Sequence, residues 1–246
     1  MVEKLVLTAI ADNRTVSPKL KAVWGLSICV SARSRNRVLN LLFDTDTYPH
    51  VLKYNSKMLN VKLEKIDGVV ISHDHSDHTG GLSLIPSYAP NIPVYIPLKS
   101  SHILKEKILS LGLRLIEVED KYIVNDDILI IGGLEGQGVS EQSLVVIVKK
   151  LGLIILVGCS HPGVVNMVRR IYEELKIKPY AVIGGFHLEW SSYGEIKHIV
   201  NELISMGIQR IGPMHCSGEG IRDYLRNNYP EVFLDMKAGS TVTFTS

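Results

Sequence analysis

Cysteine is scarce in this 246-residue sequence: there are three, Cys29, Cys159 and Cys216. An odd number of cysteines this far apart excludes a disulfide framework and suits a reducing compartment, so a cytoplasmic protein is expected. An excess of charge of one sign is also missing, with 27 Lys and Arg against 25 Asp and Glu and no run of like charges. That balance excludes a nucleic-acid-binding arm or a polybasic membrane segment, and any anion must be recognised locally. No apolar run reaches the length of a membrane span. The apolar stretch at residues 5–10 is too short for a signal peptide and follows an acid, Glu3, so none is expected. Repeats, low-complexity segments and Pro/Ser-rich linkers are lacking too, and with 46% hydrophobic residues one domain spanning residues 1–246 is expected to bury a sizeable core.

What is present is an alternation of short β-rich runs with amphipathic stretches. Strands are predicted at 4–10, 25–30, 37–43, 68–72, 93–96, 114–118, 127–131, 143–149, 153–157, 180–183 and 210–212, with a polar turn at Ser34, Arg35 and Asn36. Helices are predicted at 48–59, 101–111, 164–175, 192–206 and 220–228. Many strands in two groups, with helices among them, predict an α/β fold of two packed sheets with helices on the outer faces, an αββα sandwich.

Residues 72–82 read Ser-His-Asp-His-Ser-Asp-His-Thr-Gly-Gly-Leu and follow a hydrophobic strand. At a strand end residues two apart point the same way, so His73, His75 and Asp77 are expected to project from one face while His78 serves a neighbouring ion. Imidazole and carboxylate suit zinc first, with manganese, iron or magnesium as alternatives, and a catalytic site keeps a position open for water. Four donors this close cannot close one tetrahedral site and leave it open, which points to one or two divalent ions per chain. The small residues after His78 let a turn pack closely, which a merely polar surface loop would not require.

His73-Asp74-His75-Ser76-Asp77-His78 matches the His-x-His-x-Asp-His motif, and on it the chain resembles the metallo-β-lactamase superfamily. The resemblance implies the αββα sandwich of two mixed sheets, with ligands at the edges where the sheets meet. It implies that His73 and His75 hold one ion and Asp77 and His78 the other, with Asp77 also among the catalytic residues. Later segments supply the remaining ligands. His161, His187 and His215 each follow a predicted strand. Metal ligation is expected of His161 and His215; His187 is expected to contact substrate, donate a proton or ligate in place of His161. His102 and His198 fall among Lys and Glu in predicted helices and read as solvated surface, and nothing in the spacing of His50 demands a metal.

Other positions carry the resemblance with departures. Cys159 stands where a bridging carboxylate is usual, and either ligates as a thiolate or lies inert behind the ligands. Asp44 resembles the buried aspartate that accepts the second ring proton of a ligand histidine. Glu141 lies where many relatives have a ligand histidine and reads as an acid, a base or an unusual ligand. Asp46 and Asp74 replace usual glycines and add negative charge near the metals.

Trp24-Gly-Leu-Ser27, Gly158-Cys-Ser-His-Pro-Gly163, Gly184-Gly-Phe-His-Leu188 and His215-Cys-Ser-Gly218 narrow the resemblance to a branch containing an archaeal dihydropterin–arylamine phosphate synthase. This implies a condensation in methanopterin-type cofactor biosynthesis, with a phosphorylated or pterin-like small molecule as substrate and diphosphate as leaving group. Trp190 is the candidate for stacking on a pterin ring, whereas Phe186 reads first as core. Two readings compete: hydrolysis of a phosphodiester, thioester or lactone at the same site, and a non-catalytic metal-containing binding protein. No nucleic-acid or membrane partner is implied, and a homo-oligomer is left open.

Overall fold

The structure is a computed structural model and describes residues 1–35 and 37–246. One sheet is laid down in chain order by β1 (Lys4–Ala11), β2 (Ser27–Ser34), β3 (Arg37–Phe43), β4 (Gly68–Val70), β5 (Pro93–Pro97) and β6 (Arg114–Val118). The first three strands pair antiparallel and the rest parallel. Parallel neighbours need a crossover, supplied by α1 (Pro49–Met58), by the one-turn α2 (Ser76–Thr79) with the 3₁₀ segment Gly80–Ser87, and by α3 (His102–Ser110).

The second sheet runs β7 (Lys121–Asn125), β8 (Ile128–Gly136), β9 (Val139–Val148), β10 (Gly152–Val157), β11 (Pro179–Gly185) and β12 (Arg210–Met214). Its first four strands form an antiparallel meander; α4 (Val164–Leu175) and α5 (Tyr193–Ser205) carry the parallel crossovers to β11 and β12. After α6 (Gly218–Asn228) the chain returns as β13 (Thr241–Thr245) to the free edge of β1.

The two-residue period of a strand sorts its side chains into layers. On β10, Ile154 and Leu156 enter the layer between the sheets, with Leu5, Leu7, Leu41, Phe43 and Ile130. Leu153, Ile155 and Val157 face the other way, onto Val164, Met167, Val168 and Ile171 of α4. On the first sheet Leu42, Val69 and Ile71 pack outward against Leu52 of α1 and Leu104 and Ile108 of α3. Three apolar layers separate helix, sheet, sheet and helix, which is the αββα sandwich expected from the sequence.

The departures are local. The strands predicted at 127–131 and 143–149 are one long hairpin turning at Gln137 and Gly138, both at positive φ, so Glu141 lies within β9 rather than in a loop. The edge strands β7 and β13 were not predicted: Lys121–Asn125 does not alternate, and Thr241–Thr245, although it alternates Thr with Val and Phe, is short and mostly exposed. The strand predicted at 25–30 begins at Ser27, and that predicted at 68–72 stops at Val70. Of the turn predicted at Ser34, Arg35 and Asn36, Asn36 lies outside the described residues.

Candidate metal centre

The mouth of the site lies where both sheets end. Because β4 stops at Val70, the motif leaves it as a loop and turns into α2 at Ser76, and strand alternation no longer governs its side chains. The expectation that His73, His75 and Asp77 share a face is therefore corrected. Donor atoms of His73 and His75 group with one of His161, and those of Asp77 and His78 with one of His215, each set within 4.8 Å of one another. The following turn packs closely, as expected: a Cβ on Gly80 would fall into the Thr47 carbonyl and one on Gly81 into the Thr45 carbonyl.

Each deeply set imidazole has its outer nitrogen held by an acceptor. His78 Nδ1 donates to Asp44 Oδ2 at 2.6 Å. His73 Nδ1 lies 2.9 Å from Ser72 Oγ, which donates onward to Asp44 Oδ2 at 2.7 Å. His161 Nδ1 donates to Glu141 Oε2 at 3.0 Å, and His215 Nδ1 to Asn13 Oδ1 at 3.1 Å. With a proton on the outer nitrogen, each ring in its neutral form offers Nε2 as a lone pair. Outer-nitrogen acceptors of this kind fix tautomer and orientation in metal-ligating histidines.

The inward atoms converge at ligand spacing. His73 Nε2 is 3.0 Å from His75 Nδ1, His215 Nε2 is 3.1 Å from Asp77 Oδ2, and His78 Nε2 is 3.8 Å from Asp77 Oδ2 and 3.3 Å from Cys159 Sγ. Donors around one tetrahedral cation at metal–nitrogen and metal–sulfur bonding distances stand roughly 3.3–3.6 Å apart. The donor set and its spacing fit divalent cations.

Electrostatics point the same way. Burial, then the neighbouring imidazoles, hold the His73 pKa well below its ordinary value, so the ring is neutral. At His78 burial opposes charge, but the carboxylates of Asp44 and Asp77 outweigh it and push the pKa up to about 9. The Asp77 carboxyl is held below the usual range despite its burial, by His215 and His78. The Asp77–His78 side of the pocket thus attracts positive charge, while His73 is kept a neutral donor.

Glu141, which the sequence offers as acid, base or ligand, is buried in β9 with both oxygens engaged. Oε1 accepts from the backbone N–H of Cys159 and Ser160 at 2.9 and 2.8 Å, and Oε2 from the backbone N–H and Nδ1 of His161. Its carboxylate holds the loop that carries His161 and does not face the cavity. Asp44 does the same for the motif, accepting Ser72 N–H at 2.7 Å as well as the His78 proton. Of the two departures from glycine, Asp74 accepts Ser101 N–H at 2.7 Å. Asp46 is fully buried at φ 64 with Oδ2 unpartnered, and burial pushes its pKa up to about 7.

His187 is exposed, with its ring 4.9 Å from that of His161. It stands between two clefts of about 330 and 360 Å³. The second is lined by Trp24, His187, Glu189, Trp190 and Cys216. Trp190 is 94% exposed and Trp24 49%, with the Trp24 ring 4.8 Å from that of His215, while Phe186 is buried under α4 and α5. His50, His102 and His198 are exposed and outside the cluster. Sequence reasoning missed Trp24 as a cleft residue and missed Ser72, Asp12 and Asn13. Asp12 Oδ1 accepts His215 N–H at 2.6 Å. Only the Asp12-Asn13 pair just after a strand, a turn signal, marked that segment.

This fold and clustered donor set define the class, an α/β enzyme of the metallo-β-lactamase type. Residues 40–122 match a beta-lactamase superfamily domain. The chain is 31% identical to the 7,8-dihydropterin-6-methyl-4-(beta-D-ribofuranosyl)-aminobenzene-5'-phosphate synthase of Methanocaldococcus jannaschii, over 89% of this chain and 90% of that one. Among solved structures, a metal-dependent hydrolase of the beta-lactamase superfamily, Tm1679, superposes with a TM-score of 0.80 at 24% identity, over 98% of this chain and 100% of that one. A diphosphatase of the PhnP family does so at 0.67 and 13%, over 99% and 98%. The chain belongs to the metallo-β-lactamase superfamily, in the branch of the archaeal synthase. It is an enzyme, which sets aside the non-catalytic reading.

Proposed function

We propose that this enzyme is a metal-dependent transferase that joins a ribofuranosyl-aminobenzene phosphate to a dihydropterin methyl diphosphate and releases diphosphate. The observation that carries metal dependence is the set of four buried imidazoles whose outer nitrogens are all occupied and whose inner nitrogens converge. The substrate assignment rests on identity with the synthase over nearly the whole chain.

His73, His75 and His161 would hold one cation and Asp77, His78 and His215 a second, with zinc favoured by the imidazole-rich donors. Bound there, a divalent cation would neutralise charge on the departing diphosphate. The chain's own part is to bind and orient. Trp190 and Trp24 offer faces on which a planar pterin can stack. His187, whose pKa is raised by its hydrogen bond with Cys216, would offer a ring N–H beside the leaving group. In the reaction the aryl nitrogen attacks the methylene carbon, the carbon–oxygen bond to diphosphate breaks, and the nitrogen's proton passes to solvent. Among the described residues no helix is long and apolar enough to cross a membrane. The free thiols of Cys29, Cys159 and Cys216 support a cytoplasmic setting.

The test is to incubate metal-loaded enzyme with the pterin diphosphate, with and without the arylamine. Diphosphate release that requires the amine, with the coupled product formed in equal amount, is expected. Release at the same rate without amine would overturn the transferase and leave a hydrolase.

A further inference from the structure

Among the described residues, the two proposed cation positions have no carboxylate between them. Asp77 groups only with His78 and His215, Glu141 is spent on the 159–161 loop, and Asp44 lies behind His78. One side chain outside the two sets reaches both. Cys159 Sγ lies within 4.8 Å of ring nitrogens of His73 and His78, of His161 and His187, and of His215 together with Cys216 Sγ. Among the described residues outside the two triads, it alone groups with donors of both. It is buried, 3.3 Å from His78 Nε2, and its own N–H is fixed at 2.9 Å by Glu141 Oε1. Cys216 is placed differently, with Sγ donating to the Cys159 carbonyl at 3.7 Å and grouping only with Cys159 and His215.

We infer that Cys159 is the donor shared by the two cation positions, a bridging thiolate rather than an inert thiol. This rests on the two-cation reading above. In forming the bridge the thiol gives its proton to the buffer and its sulfur bonds to both cations. A divalent charge beside the thiol favours its thiolate form. A thiolate at the shared position also selects the ligand chemistry. It favours zinc, cobalt(II) or cadmium over magnesium or calcium, which prefer oxygen.

The experiment loads metal-free wild type, Cys159→Ser, Cys159→Asp and Cys216→Ser with cobalt(II) or cadmium. It follows thiolate-to-metal charge-transfer absorption in the ultraviolet, metal content by elemental analysis, and folding by circular dichroism. Wild type is expected to bind two ions with a charge-transfer band that excess magnesium does not diminish. C159S should lose the band and one ion, and C159D should lose the band and keep two ions. C216S should keep both. A folded C159D protects the result should C159S misfold. A band that survives in C159D, or one that vanishes in C216S, would overturn the assignment, as would wild type that binds two ions with no band. Wild type holding less than one ion would instead overturn the metal centre itself.

Discussion

Replacing Glu141 by Gln removes one charge and one acceptor at a fully buried point where four N–H groups converge. The amide can turn two ways. With its NH₂ at the Oε1 position it faces two backbone donors, Cys159 and Ser160, and both are orphaned. With its NH₂ at the Oε2 position it opposes only the His161 backbone N–H, and His161 Nδ1 can accept if the ring changes tautomer. The second orientation is the better one, but it moves the His161 proton to Nε2, where it points at the cation. A hydrogen bond to a charged group contributes roughly 1.5–3 kcal/mol and an orphaned buried donor costs about 1–3 kcal/mol. E141Q should therefore lose about 3 kcal/mol of stability in the metal-free protein. It should also weaken cation binding about 10- to 100-fold, the usual cost of removing a partner behind a metal ligand. Urea unfolding without metal and calorimetric titration with zinc measure the two separately. An E141Q protein that matches wild type in both would refute the role given to this carboxylate.

Other outcomes follow from the same geometry. Asp46 has an unfolded pKa of 3.8 and a folded one of about 7, so its cost to the metal-free protein is absent below about pH 4 and grows as pH rises through 7, to a ceiling of about 4 kcal/mol. Asp46→Gly should then raise the urea midpoint more at pH 8 than at pH 4, since glycine also suits the positive φ; equal gains at both would show the carboxyl is not the cause. Gly80→Ala forces a methyl against the Thr47 carbonyl and should cost about 1–3 kcal/mol, read as a lowered thermal midpoint. His75 is exposed, so His75→Ala should change metal-free stability by less than about 0.5 kcal/mol yet reduce the metal content found by elemental analysis; an unchanged content would remove it from the ligand set.

The sandwich was legible because short continuous apolar runs such as residues 153–157, buried on both faces, and the 3.6-period stripe of α4 each specify an element without reference to the rest. The motif was legible for a similar reason: its donors lie within six residues, so spacing alone brings them near. The pairing of Asp77 with His78 was implied by the family resemblance and not by strand alternation, which failed because β4 ends at Val70, a point that tertiary pairing rather than local sequence decides. The work of Glu141 was illegible because it depends on β9 lying under the 159–161 loop, and Ser140, Glu141 and Gln142 look polar enough for a turn. Asn13 and Trp24 belong to the site only because β1 and β12 end at the same rim, a contact across nearly the whole chain.

That long reach bears on how the protein reaches its active form. Of the contacts that hold the outer nitrogens, only Ser72 with His73 is local; Asp44–His78 spans 34 residues, Glu141–His161 spans 20 and Asn13–His215 spans 202. A cation cannot find its donors arranged until strands of both sheets and the two ends of the chain have met, and such non-local closures come late in folding. Metal uptake would therefore act after the rate-limiting step, leaving the folding rate almost unchanged and slowing unfolding. The bound ions would serve as a latch on the finished molecule rather than as a seed for it.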